Sequence, residues 1–270
     1  MKLQLGGHVP AKEGLRYVIS TARAMNYNVV QTMVGGGADY QPYDIPLTVA
    51  LEYKKLIYGI ETYVHLPYIL NPCEGKPQRR GWGGRVFQEF CRTAQMIGAK
   101  AVVIHPGYKK QLELGEAQEN CRKFFERYFE EDWEMDILLE TDAGSKNGSA
   151  IGSLQFIKEV LEQLDHFRFG MCLDTEHLYA RGIDLWDHDI RKRVLKDHGE
   201  QIRLIHLNVP DPEVDLGSNR DRHNSPFSSR EWAHEPLIRD LESWPLILER
   251  RSLVVQEEDA AFVRLILDPK

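Results

Sequence analysis

The chain has 270 residues, 42% of them hydrophobic and 28% charged, and a formal net charge of −7 at pH 7. Such a composition excludes the fibrous and disordered classes, and the acidic total argues against broad nonspecific attraction to nucleic acid or anionic membrane, while leaving room for a local basic patch. No stretch approaches the roughly 18 uninterrupted apolar residues of a membrane span, the start lacks the apolar core of a signal peptide, and Cys73, Cys91, Cys121 and Cys172 form no Cys-x-x-Cys pair, so the expectation is a cytoplasmic protein with reduced thiols.

In chain order, one unit recurs: a short apolar run ended by a polar residue, followed by an amphipathic helical stretch. The predicted strands are Leu3 to His8, Val29 to Gln31, Thr62 to His65, Ala101 to His105, Ile137 to Glu140, Met171 to Asp174, Leu204 to His206 and Leu246 to Glu249. Runs that are apolar throughout suit strands buried on both faces, as in a parallel sheet covered by helices. Between them, residues such as Leu15, Val18, Ile19, Ala22 and Met25, or Phe156, Ile157, Val160, Leu161 and Leu164, recur with helical spacing. Eight βα units without a linker predict a single (β/α)8 TIM barrel over residues 1–270. The longest irregular stretch, Val209 to Arg230, follows the seventh strand, and loops of that length usually carry function.

A parallel barrel delivers the C-terminal end of every strand to one face, where the active sites of this architecture lie. The residues delivered here are His8, Gln31, His65, His105, Glu140, Asp174, His206 and Glu249, all polar. A strand-end His alone is more often a hydrogen-bonded core residue, and a Glu more often a helix cap. Eight polar residues at equivalent places in successive units point instead to a metal site. Asp174-Thr175-Glu176-His177 adds an imidazole three residues after a carboxylate, and Asp221-Arg222-His223 a second close pair. Imidazole and carboxylate donors without thiolate suit zinc, and also manganese or iron. At about three or four protein ligands per ion, the set His65, His105, Glu140, Asp174, His177, His206, Asp221, His223 and Glu249 would serve two or three ions.

The ordered motifs His65-Leu66-Pro67-Tyr68-Ile69-Leu70-Asn71, His105-Pro106-Gly107, Cys172 to His177, His206-Leu207-Asn208, Gly217-Ser218 with Asp221-Arg222-His223, and Pro245 to Glu249 resemble the endonuclease IV family of apurinic/apyrimidinic (AP) endonucleases. The resemblance implies three zinc ions. His65 and His105 would hold one, Glu140 would bridge it to a second completed by Asp174, His206 and Glu249, and His177, Asp221 and His223 would hold the third. It also implies DNA containing abasic sites as the partner, with hydrolysis of the phosphodiester 5′ to the lesion to leave a 3′ hydroxyl; separately, a monomer is expected. A hydroxide formed at neutral pH would attack phosphorus in line, and Glu140, as bridging ligand, is the candidate catalytic residue.

The sequence departs from the family in several loops. The Asn-Pro-Arg type loop after Gln31 is replaced by Thr32 to Tyr40, with Gly35-Gly36-Gly37 and no Arg; Val209 stands for an Asp, Glu176 for the Cys before the third-site His, and Asn224-Ser225-Pro226-Phe227 for a Gly-rich stretch. These changes leave the ligands in place and bear on substrate recognition. Tyr68 matches a family residue that inserts at the abasic site, where an aromatic ring can stack on a neighbouring base. His8 and Gln31 are further candidates for substrate contact. Lys109, Lys110, Arg220 and Arg222 form the candidate basic patch, whereas Arg79, Arg80 and Arg85, among Gly81, Gly83 and Gly84, read as a solvated loop. Two other readings compete. A single-metal sugar isomerase or epimerase would need only Glu140, Asp174, His206 and Glu249, and a hydrolase of the same kind could act on another nucleotide or diester.

Overall fold

The computed structural model describes residues 3–144, 150–223 and 225–268. Eight parallel strands close into a barrel in sequence order: β1 (Leu5–His8), β2 (Val29–Thr32), β3 (Glu61–His65), β4 (Ala101–Ile104), β5 (Asp136–Glu140), β6 (Phe169–Asp174), β7 (Ile202–His206) and β8 (Leu246–Leu248). The ring is sealed by β1 pairing with β8, Leu5 opposite Leu246. Outside lie α1 (Leu15–Ala24), α2 (Leu47–Leu56), α3 (Pro77–Ile97), α4 (Leu114–Tyr128), α5 (Leu154–Leu164), α6 (Thr175–Ala180), α7 (His188–His198), α8 (His234–Leu241) and α9 (Leu253–Leu267). No helix among the described residues is long and apolar enough to cross a membrane. The four cysteines are buried free thiols.

Two separate apolar clusters account for the all-apolar strands. The larger packs one strand face against the helices, with Val30, Val64, Val102, Leu139 and Leu173 among its members. The smaller contains Val29, Tyr63, Ala101, Val103, Leu138, Cys172, Leu204 and Ile247, the alternate residues of the same strands. Side chains alternate across a strand with period two. Two residues after Val29, Tyr63, Val103, Leu138, Cys172, Leu204 and Ile247 come Gln31, His65, His105, Glu140, Asp174, His206 and Glu249. The pleat that fills the barrel with apolar groups therefore turns seven polar side chains into one opening at its C-terminal end. In β1 the corresponding place is Gly6, where a Cβ would lie 1.7 Å from the Val29 carbonyl oxygen, so only glycine lets the first two strands approach this closely.

The stretch Arg79 to Arg85 corrects the sequence expectation. It is not a solvated loop but the start of the 21-residue helix α3. Gly84 serves packing, since a Cβ there would fall 2.2 Å from the Tyr128 ring of α4. Arg80 is partly buried, donating to the Glu74 carbonyl and to Asn120 Oδ1, while Arg79 and Arg85 face solvent.

Candidate metal centre

Glu140, at the end of β5, lies at the middle of the opening and is 1% exposed. Its Oε2 is 2.9 Å from His65 Nε2 and 3.3 Å from His105 Nε2, and its Oε1 is 2.8 Å from His206 Nδ1. Each carboxylate oxygen thus serves a different set of imidazoles. Around the second oxygen gather Asp174 Oδ2, 3.8 Å from His206 Nδ1, and Glu249 Oε2, 3.4 Å from the same nitrogen. A third group lies beside it: His177 Nε2 is 3.6 Å from Asp221 Oδ2, and His223 Nδ1 is 2.8 Å from Asp221 Oδ1. Donor atoms of His65, His105 and Glu140, of Glu140, Asp174, His206 and Glu249, and of Glu176, His177, Asp221 and His223 form three groups, each within 4.8 Å of one another.

The hydrogen bonds behind these atoms fix how they face. His65 Nδ1–H donates to the Leu66 carbonyl at 2.8 Å and His177 Nδ1–H to the Thr141 carbonyl at 2.7 Å, so each imidazole turns its Nε2 lone pair inward, the arrangement usual for metal-ligating histidines. His206 Nε2–H donates to Gln31 Oε1 at 2.8 Å, leaving Nδ1 for the centre. The motif His105-Pro106-Gly107 is clamped by Asn71, which accepts from the Tyr108 amide and donates to its carbonyl. Gly107 has φ 92°, and a Cβ there would lie 2.0 Å from Asn71 Oδ1. Asp174 divides its oxygens: Oδ1 accepts from the Glu176 and His177 amides as the N-cap of α6, while Oδ2 is left to the centre.

These donors fit divalent cations. Lone pairs of His65 and His206 converge on carboxylate oxygens within hydrogen-bond distance, and Glu176 Oε2, His177 Nε2 and His223 Nδ1 are buried without a hydrogen-bond partner. A buried polar atom without a partner costs about 1–3 kcal/mol, more when charged, and here the three atoms surround one point that a cation would satisfy. Without ions the acids and imidazoles answer one another electrostatically. Burial disfavours charge on His223, but Asp221, Glu176 and the carboxylates beyond outweigh it and raise its pKa to about 10. Burial likewise opposes ionisation of Glu249, yet His206 and His223 bring it down to about 2. Cys172 also neighbours His206 and Glu140, but burial pushes its thiol up to about 12, so it is a neutral wall of the barrel.

Beneath the ligands is a layer that sequence reasoning missed. Asn208 Nδ2 donates to Asp174 Oδ2 at 2.7 Å and to Glu249 Oε2 at 3.0 Å. Its Oδ1 accepts from Arg250 Nη1 at 2.8 Å, and Arg250 Nε donates to Asp259 Oδ2 of α9 at 2.7 Å. Gln31 belongs to this layer, which corrects its assignment as a substrate contact. It is fully buried, and its Nε2–H donates to Glu249 Oε1 at 2.6 Å. The Asn in His206-Leu207-Asn208 was the available signal, since a polar residue two positions after a ligand shares that ligand's face.

Comparisons with known proteins bear on the family and the fold. The family model described as Xylose isomerase-like TIM barrel matches residues 19–261. Among curated proteins, the chain is 31% identical over 208 residues to "Probable endonuclease 4" of Metamycoplasma arthritidis (strain 158L3-1), covering 73% of this chain and 72% of that one. It is 30% identical over 266 residues to "Probable endonuclease 4" of Mycoplasma genitalium (strain ATCC 33530 / DSM 19775 / NCTC 10195 / G37), covering 92% and 89%. The chain belongs to the endonuclease IV family. The fold of endonuclease IV from Thermus thermophilus superposes with a TM-score of 0.82 at 20% identity, over 99% of this chain and 100% of that one. A D-tagatose 3-epimerase-like protein superposes with a TM-score of 0.77 at 17% identity, over 98% and 97%; the fold is shared beyond the endonuclease IV family.

Around the centre lies a rim built from loops and from α3. The segment Thr32 to Tyr40 lies against Tyr68, whose amide donates to the Gly37 carbonyl. A Cβ on Gly37 would meet the Tyr68 ring at 2.3 Å. Tyr68 is 62% exposed, and Tyr40 of this loop meets Trp82 of α3 edge-on at 4.6 Å between ring centres, both rings exposed. His8 is partly buried, 4.0 Å from Glu249 Oε1, and burial brings its pKa down to about 4, so it presents a neutral imidazole at pH 7. Lys110 pairs with Glu74, and Lys109 Nζ donates to the Leu112 carbonyl at 3.0 Å. Arg222 pairs with Glu213 at 3.2 Å, and Arg220 is exposed. Val209 is buried, and Asn224 lies outside the described residues.

Proposed function

We propose that this chain is a zinc-dependent AP endonuclease that hydrolyses the DNA backbone on the 5′ side of abasic sites and leaves a 3′ hydroxyl. The observation that carries this reading is Glu140, whose two oxygens each face a different group of imidazoles, beside a third group formed by His177, Asp221 and His223. Three contiguous groups of donors suit several ions around one phosphodiester, whereas an isomerisation at a single metal would leave His65, His105, His177, Asp221 and His223 unused.

On this reading His65, His105 and Glu140 hold one ion, Glu140, Asp174, His206 and Glu249 a second, and His177, Asp221 and His223 a third. Divalent ions bound there supply Lewis-acid charge and lower the pKa of water to about 7. The chain's own residues prepare the site. Gln31 and Asn208 hold Glu249 and Asp174 in one orientation, so these carboxylates need not reorganise when substrate charge arrives. The Leu66 and Thr141 carbonyls keep His65 and His177 in the tautomer whose Nε2 faces the site. Water adds to phosphorus, the bond to the upstream 3′ oxygen breaks, and the proton ends on that oxygen. Tyr68, exposed on the rim, stacks on the base beside the missing one, in a monomer that meets DNA through this face.

Elemental analysis of purified protein, paired with incision of an abasic duplex before and after chelator treatment, tests the proposal. Three ions per chain and chelator-sensitive incision are expected. An intact abasic strand with turnover of a small diester would transfer the site to another phosphodiester. One ion per chain with ketose epimerisation would favour the second reading, which the group Glu140, Asp174, His206 and Glu249 and the epimerase-like fold support.

A further inference from the structure

Glu176 stands where the family pattern has a Cys, and it is fully buried at the first turn of α6. One of its oxygens is accounted for: Oε1 accepts from the Arg222 amide at 3.1 Å, in the Asp221-Arg222-His223 segment. The other, Oε2, is buried without a hydrogen-bond partner. It lies 4.0 Å from His177 Nε2, itself buried without a hydrogen-bond partner, and 3.8 Å from His223 Nδ1, which faces Asp221 Oδ1 at 2.8 Å without hydrogen-bond alignment.

From this arrangement we propose, on the multinuclear reading above, that Glu176 is a fourth protein ligand of the third ion and closes its coordination sphere. Bonds of about 2.0–2.2 Å at tetrahedral angles set donor atoms roughly 3.3–3.6 Å apart. The two imidazoles lie 2.8 to 4.0 Å from carboxylate oxygens of Glu176 and Asp221, and one donor atom from each of the four residues lies within 4.8 Å of the others, so small side-chain adjustments bring four donors onto one ion. Two carboxylates cancel the charge of a divalent cation, and two imidazoles complete the set without thiolate. Three protein ligands leave a position open for water or substrate, and four leave none. The Arg222 amide holds the carboxylate so that Oε2 cannot swing away. The third ion is thereby turned from an exchangeable member of the centre into its most firmly held one.

The test is graded metal removal. Protein loaded with Zn2+ is dialysed against rising chelator concentrations, and the ions remaining per chain are counted by elemental analysis, with Co2+ absorption as a second readout of ligand number. Wild type is expected to keep one ion after the others have left, and to show a four-coordinate Co2+ spectrum. Glu176→Gln and Glu176→Ala are expected to lose that last ion at chelator concentrations lower by on the order of tenfold or more, beyond what an outer partner usually controls. Three ions in wild type, with none held less tightly in either variant, would overturn the inference and leave the multinuclear reading standing. Uptake of two ions or fewer, none sensitive to His177→Ala, would overturn both.

Discussion

The floor of the opening and its rim are built on different principles. On the floor, seven side chains come from strand ends, each two residues beyond an apolar side chain inside the barrel. Nearly every buried donor there is tied to a backbone carbonyl, an amide or a carboxylate of another strand. On the rim, side chains come from loops and from α3, many are exposed, and their polar groups are engaged locally, as Lys110 is with Glu74 and Arg222 with Glu213. A floor fixed by pleat and ladder tolerates little change. A rim fixed by loop length and local pairs, such as the segment around Gly35-Gly36-Gly37, can be rebuilt without disturbing the chemistry.

Substitution at the floor is therefore expected to cost most. Glu140→Gln removes the charge that faces two groups of imidazoles, and incision of an abasic duplex is expected to fall by roughly 10³-fold or more, the size of effect seen when a preorganised electrostatic group is lost. Full activity in this variant would remove Glu140 from the mechanism. One layer down, Asn208→Ala frees both Asp174 and Glu249, and a drop of about 10–100-fold in metal affinity is expected from titration of the metal-free protein. Unchanged affinity would mean that the ligands hold their own positions.

Rim substitutions are expected to spare metal content. Tyr68→Ala is expected to weaken binding of abasic duplex by about 1–3 kcal/mol through lost stacking, with ions per chain as in wild type; a loss of metal would merge the two regions. Smallest is charge reversal at Lys109 and Lys110, which is expected to weaken DNA binding and flatten its salt dependence, at about 0.9 in the log–log slope for each phosphate no longer neutralised. Because Lys110 is already paired with Glu74, the change is expected to come mainly through Lys109. An unchanged slope would remove this patch from the interface.

The floor was legible in sequence because its signal is periodic. A buried strand announces itself by an apolar run, and the polar residue that ends it is a position on one face of the barrel, as with Leu138 and Glu140. His105 was found this way although it falls one residue beyond β4. What escaped depends on side chains meeting across long separations. Gln31 reaches Glu249 from 218 residues away, and nothing in either neighbourhood marks the pair. Glu176 read as a lost Cys, because its meaning lies in the orphaned oxygen rather than in its residue type. Gly84 of α3 read as part of a loop because a close helix crossing and a flexible turn both favour glycine, and only the Tyr128 ring distinguishes them.

The closing contact between β1 and β8 has a bearing on how the protein is made. Glu249 follows the last strand, and the support for Asn208 runs through Arg250 to Asp259 on the final helix. A growing chain emerging from the ribosome would already present His65, His105 and Glu140 while lacking the partners that complete them. The full support exists only once the chain through Asp259 has been made, and ions captured earlier would sit in an incomplete and exchangeable nest.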